Sequence, residues 1–315
     1  LPIGLSFYTF RNLSYLFDIY LSKVSAQRNF LTFAVYSTMF PYTSAGPIVR
    51  YTDIETQLKQ RTINISKFGI GAELFVKGLA KKVLLADNLS VLYSSICGHP
   101  QMSVFTSWLG ILAYTMQLYF DFSGYSDMAI GLGKMLGFDF NKNFDYPYIS
   151  TSVSEFWRRW HISLGSWFRD YIYIPLGGSR CSKWKSFRNT MIIFLVSGLW
   201  HGANWTFICW GAFHALLFLP LLLMGRNRKY KDIVAENKYL PSLKELGQII
   251  STFILVMIGW VIFRAENIKE AYQYIIYMFT KWQPSSLEYG VKCIQYIAIL
   301  IIIEWINRRK MHGLE

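Results

Sequence analysis

From Asn189 to Gly225 the chain runs thirty-seven residues without an Asp, Glu, Lys or Arg, and His201 lies inside that run in the string Ser197-Gly-Leu-Trp-His-Gly-Ala-Asn-Trp205. A helix crosses a bilayer with about 20 apolar residues at about 1.5 Å each. The run is too long for one crossing and predicts two helical pieces of a membrane protein, broken where Gly198, Gly202 and Asn204 cluster. His201 falls at that break. An ionisable group in such a segment is costly unless it is paired or lines a water-filled cavity. That makes His201 a candidate site residue. The plain alternative is a histidine hydrogen-bonded to a neighbouring helix.

Composition points the same way. Hydrophobic residues make up 53% and charged residues only 16%, more apolar than a typical soluble domain. The 21 Tyr and 11 Trp suit the two lipid–water interfaces. A net charge of +13 would raise nucleic acid as a partner for a soluble protein, but here the basic residues fall in short clusters between apolar runs. Positive-inside bias accounts for them, and no nucleic-acid partner is expected. Cys97, Cys181, Cys209 and Cys293 are far apart and show no metal-ligand spacing, so no metal site is expected. The chain opens on Leu1-Pro2-Ile3-Gly4 without a basic n-region or cleavage site, and an amino-terminal part is expected to be missing.

Along the chain, residues 1–22 carry Arg11 and Asp18 and read as a helix lining the protein interior. Residues 29–49 contain Pro41, Gly46 and Pro47 and suit a re-entrant or broken segment. Residues 66–86 form a helical pattern with Lys77, Lys81 and Lys82 placed to snorkel. Further spans are expected over 103–120, 246–263 and 289–306, the last ending at Glu304, with a polar loop over 226–241. Between Lys134 and Arg188 nine Lys/Arg face four acids, which predicts a cytoplasmic connection. Within it Ser152-x-x-Glu155 is a capping box. The helix it starts would align Phe156, Trp160, Leu164, Trp167 and Tyr171 on one stripe and lie in the interface plane, with Arg158, Arg159 and Arg169 opposite. The expected fold is all-α: one polytopic, membrane-embedded domain over 1–315 of transmembrane and re-entrant helices, with no second soluble domain.

Five histidines are present. His99 and His312 read as solvated surface, and His214, thirteen residues after His201, as structural. His161 and His201 remain, one on the amphipathic connection and one deeper. Imidazole suits proton transfer near neutral pH, and a hydroxyl is a poor nucleophile until a base takes its proton. An apolar wall keeps water from hydrolysing an activated acyl group. No Gly-x-Ser-x-Gly elbow is present, so direct transfer with His as base fits better than a covalent acyl-enzyme. Asp121 and Asp127 sit directly after an apolar span, where they would orient a histidine, bind substrate or pair with an Arg between helices.

Four ordered strings carry a resemblance: Asp121-Phe-Ser-Gly-Tyr-Ser-Asp127, Phe156-Trp-Arg-Arg-Trp-His-Ile-Ser-Leu164, Trp167-Phe-Arg-Asp-Tyr-Ile-Tyr-Ile-Pro-Leu-Gly-Gly178 and Ser197-Gly-Leu-Trp-His-Gly-Ala-Asn204. With Phe40-Pro41 and Ala45-Gly-Pro-Ile-Val-Arg-Tyr51, the chain resembles the membrane-bound O-acyltransferase family, in its bacterial alginate and peptidoglycan O-acetyltransferase branch. The resemblance implies a helical bundle around a central tunnel in the bacterial cytoplasmic (inner) membrane. It implies His201 as catalytic base and His161 as the second functional histidine, with Trp200, Asn204, Trp160, Arg158, Arg159, Asp121 and Asp127 as substrate-binding candidates. It further implies no permanently bound cofactor and acetyl-CoA, or another acyl thioester, as donor. The acceptor would be a cell-surface polysaccharide, with membrane lipid and an extracytoplasmic acetyltransferase protein as partners. Relatives are expected to carry further hydrophobic segments before Leu1. The rival readings are a proton-coupled transporter, against which stands the lack of inverted repeats, D-alanyl transfer to teichoic acid, and a scaffold in which both histidines are dispensable.

Overall fold

The computed structural model describes residues 4–97, 102–225, 234, 235, 238–282, 298, 302 and 304–308. Among these there is no strand. The helices are α1 (Leu5–Tyr20), α2 (Phe30–Thr38), α3 (Tyr51–Lys59), α4 (Ile65–Ala80), α5 (Asp87–Cys97), α6 (Val104–Met135), α7 (Val153–Arg159), α8 (Ile162–Phe168), α9 (Lys183–His201), α10 (Trp205–Leu223), α11 (Leu243–Arg264) and α12 (Ile268–Thr280). Two of them, α10 and α11, are long and apolar enough to cross a membrane. The expected span over 289–306 lies largely outside the described residues, as do most of the expected 226–241 loop, His99, His312 and Cys293.

The central element is α6. It is 32 residues long, about 48 Å at helical rise, and runs well past the expected span over 103–120. Asp121 and Asp127 therefore sit inside it and do not follow it. Their charge is tolerated because Lys82 reaches Asp121 and Lys81 reaches Asp127, each at 2.8 Å. Those lysines do not snorkel outward as the sequence suggested. A π-helical turn over Lys81–Ala86 follows α4 and presents them to α6. Glycines let α4 and α6 approach: a Cβ on Gly78 would stand 2.5 Å from the Gly124 carbonyl oxygen, and one on Gly124 would stand 2.7 Å from that of Gly78.

Other expectations hold at element level. In α1, Arg11 and Asp18 are buried. Arg11 donates to the backbone oxygens of Tyr42 and Ser37 at 2.8 and 3.0 Å, and Asp18 accepts from the Tyr171 hydroxyl at 2.8 Å. The segment after α2 breaks into a 3-10 turn over Phe40–Tyr42, as its prolines require. The uncharged run is two helices, α9 and α10, interrupted after His201.

The amphipathic helix expected after Ser152 differs. It is two short helices, α7 and α8, interrupted at Trp160 and His161. Glu155 reaches back to the amide and hydroxyl of Thr151, at 2.8 and 2.7 Å, in place of closing the box on Ser152. The aromatic stripe faces the protein interior, not lipid: Phe156, Trp160, Leu164, Trp167 and Tyr171 are all buried. Phe156 and Trp160 pack with Trp210 and Trp260 of α10 and α11, while Leu164 and Trp167 pack with Phe7 and Phe10 of α1.

Candidate functional site

A cavity of about 370 Å³ lies between α7, α8, α9, α10 and α11, with Leu118 and Phe122 of α6 at one side. Its wall carries both His161 and His201, together with Trp160, Arg158 and Arg169. Most of the remaining lining is apolar, including Trp210, Trp260 and Phe263.

His201 is the last residue of α9. The helix stops there because Gly202 takes extended backbone and Asn204 caps α10, its side-chain oxygen accepting from the Thr206 amide at 3.1 Å. The imidazole stands edge-on to Trp200, Trp210 and Phe263 at ring separations of 4.7, 5.4 and 4.9 Å. The residue is nonetheless exposed, and among the described residues none hydrogen-bonds its ring nitrogens.

His161 is buried, with 4% of its surface exposed. It occupies the junction of α7 and α8 in a left-handed backbone conformation, φ 45° and ψ 54°. Its Nδ1 lies 3.1 Å from the Asn143 side-chain oxygen, and its Nε2 is buried without a partner among the described residues. Phe122 stands edge-on to the ring at 4.7 Å. Trp200 lies between the two histidines, 6.5 Å from His161 and 4.7 Å from His201 by ring centres. The break between α7 and α8 turns His161 inward, and the end of α9 leaves His201 at an open edge.

Of the residues singled out in the sequence, His201, His161, Trp160 and Arg158 share the cavity wall, with Trp200 packed between the histidines. The others are held elsewhere. Arg159 is buried in ion pairs with Glu155 at 2.9 Å and Asp145 at 3.4 Å. Asp121 and Asp127 pair with Lys82 and Lys81 as described. Asn204 donates to the Glu266 carbonyl at 2.8 Å in addition to capping α10. His214 has the structural setting expected of it: it is fully buried, and its Nδ1 accepts from the Trp157 indole N–H at 3.3 Å. Trp157 itself lines the cavity.

Sequence reading missed Asn143 and Trp210, which touch or line the site without any motif to mark them, and passed over Trp157 although it lies in the string from Phe156 to Leu164. It also missed Arg169 as a lining residue. Arg169 pairs with Asp170 at 2.6 Å, and Asp170 pairs with Arg50 of the α2–α3 connection at 2.6 Å. Burial pushes the Asp170 carboxyl up, but the Arg169 and Arg50 guanidiniums more than offset it and hold it below the usual carboxylate range.

Residues 5–263 match the membrane-bound O-acyltransferase (MBOAT) family. The chain is similar to a probable alginate O-acetylase of Pseudomonas aeruginosa, 48% identical over 91% of this chain and 54% of that protein. A peptidoglycan O-acetyltransferase of Helicobacter pylori is 34% identical over 86% of this chain and 55% of its own length. A teichoic acid D-alanyltransferase of Bacillus subtilis is 29% identical, with 84% and 69% covered. The chain spans about half the length of the alginate and peptidoglycan relatives it matches.

Proposed function

This chain belongs to the membrane-bound O-acyltransferase family, and we propose that it moves an acetyl group from a thioester donor to hydroxyls of a cell-surface polysaccharide. The observation that carries this reading is the shared wall of the cavity, where His161 and His201 stand among the aromatic side chains of Trp157, Trp160, Trp210 and Phe263. A membrane acyl transfer needs a proton acceptor beside a water-poor chamber. Here two imidazoles border a cavity whose wall is mostly apolar.

In this reading His201 is the general base. Its ring, without a hydrogen-bond partner among the described residues, takes the proton of an acceptor hydroxyl, and the oxygen attacks the thioester carbonyl. The carbon–sulfur bond breaks and the proton passes to the departing thiolate, leaving an ester and a free thiol. His161 assists from the buried side through Nε2. Trp160 shapes the chamber around the acyl group, and Trp200 packs beside both histidines. The donor is acetyl-CoA drawn from the cytoplasm, with its phosphates meeting Arg158 and Arg169 at the rim. No permanently bound cofactor is required.

The cavity would be one stretch of a tunnel through a single, multi-pass domain in the bacterial inner membrane, handing acetyl groups towards an extracytoplasmic acetyltransferase partner. Support for the acceptor class is the pair of relatives named for alginate and peptidoglycan O-acetylation. A second reading, D-alanyl transfer from a carrier-bound thioester, draws support from the 29% identity to the teichoic acid enzyme. The test is His201→Ala in a host scored for ester-linked acetate on its exopolysaccharide. Loss of acetate at unchanged protein level is expected; normal acetylation at that level would sink the proposal.

A further inference from the structure

Asn143 lies buried in the loop between α6 and α7 and has no motif spacing of its own. Its side-chain oxygen accepts the Ser163 backbone N–H at 3.1 Å and the Ser163 hydroxyl at 2.8 Å, and lies 3.1 Å from His161 Nδ1. A backbone N–H only donates, so the atom facing it is the carbonyl oxygen and not the amide nitrogen. An oxygen that only accepts requires the proton of the neutral imidazole to sit on Nδ1. Nε2 is then a bare acceptor, and it is the nitrogen that finds no partner among the described residues.

The backbone of the same loop reinforces this choice. The Asn143 carbonyl accepts from the Ile162 amide at 2.9 Å, and the Asp145 amide donates to the Arg159 carbonyl at 2.9 Å. The loop therefore grips the chain on both sides of the interruption between α7 and α8. It holds His161 in a left-handed conformation, φ 45°, that residues other than glycine rarely adopt. Strain and hydrogen bonding converge on one ring orientation.

We propose that Asn143 is a positioning residue that fixes His161 as the Nδ1–H tautomer and so presents Nε2 to accept an N–H or O–H of a substrate bound in the cavity. This rests on the acyl-transfer reading of that cavity. The experiment is side-chain ¹⁵N NMR of the full protein, with the His161 signal assigned by His161→Gln. The wild type is expected to show a protonated Nδ1 and an unprotonated Nε2. Asn143→Asp keeps an acceptor oxygen in place and should keep that pattern, whereas Asn143→Leu should lose it. Release of CoA from acetyl-CoA is measured alongside. Asn143→Leu should lower kcat/KM on the order of 100-fold, Asn143→Asp should restore most of it, and Asn143→Leu should add nothing in a His161→Ala background.

An Nε2–H ring in the wild type, or an Asn143→Leu defect undiminished in His161→Ala, overturns the proposal. If Asn143→Leu fails to fold, the wild-type spectrum still decides the tautomer. A protein that shows the predicted spectrum but releases no CoA contradicts the acyl-transfer reading and leaves the tautomer assignment standing.

Discussion

Where the chain passes from α7 to α8, a histidine takes a backbone conformation better suited to glycine. Such strain persists at sites where the surrounding structure over-determines it, and Asn143 supplies that constraint here. His161→Gly should therefore destabilise less than deletion of an equally buried ring elsewhere, since relief of about 1–3 kcal/mol of strain offsets part of the lost packing and hydrogen bonding. It should still lose the proposed acetyl transfer by on the order of 100-fold. Thermal melts and CoA release on the same preparation check both halves. A second residue-scale prediction concerns Asp170. Its carboxyl is held below the usual range by Arg169 and Arg50 against the opposing effect of burial, so its contribution is complete above an ordinary Asp pKa of about 3.9. It is lost as pH falls through the depressed native value. Asp170→Asn should cost about 1–3 kcal/mol at neutral pH. Melts recorded down the pH scale should show wild type and variant converge below that range. At this scale the sequence made His201 and His161 visible because ionisable rings in apolar surroundings stand out. Asn143 did not stand out, since a loop asparagine has no periodicity and its meaning lies in a contact eighteen residues away.

At the scale of elements, glycine decides how closely helices approach. Gly124, in the middle of the Asp121 to Asp127 string, exists to let α6 meet the Gly78 backbone of α4. Gly124→Ala should destabilise the protein by about 1–3 kcal/mol through overpacking. Gly247, on α11 with nothing within 4 Å of an added Cβ, should respond in the opposite sense. There Gly247→Ala should stabilise by up to about 1 kcal/mol, because alanine costs less backbone entropy in a helix. Paired melts in one detergent test the contrast. The break between α9 and α10 was legible, because Gly202 and the Asn204 cap are local signals. The break between α7 and α8 was not. The aromatic spacing continues unchanged through Trp160 and His161, and only the hydrogen bonds from the 143–145 loop show that the helix stops. The length of α6 was hidden for a related reason: Asp121 and Asp127 look like a helix end until Lys82 and Lys81 are seen to pair with them.

For the whole molecule, the helical class and the embedded character followed from composition and the uncharged run, while the cavity could not be read from either. Its wall is drawn from α6 through α11, between Leu118 and Phe263, and only tertiary packing brings these residues together. The same packing puts His161 inside and His201 at the edge, an order that no single segment encodes. The claim on which the rest depends is that this chamber is where an acyl group changes hands. The most direct measurement is release of free CoA from acetyl-CoA by the purified full protein with a glycan acceptor, comparing wild type with His201→Ala. The prediction is acceptor-dependent release that falls at least about 100-fold in the variant while the fold is retained. Equal rates for the two proteins would contradict it.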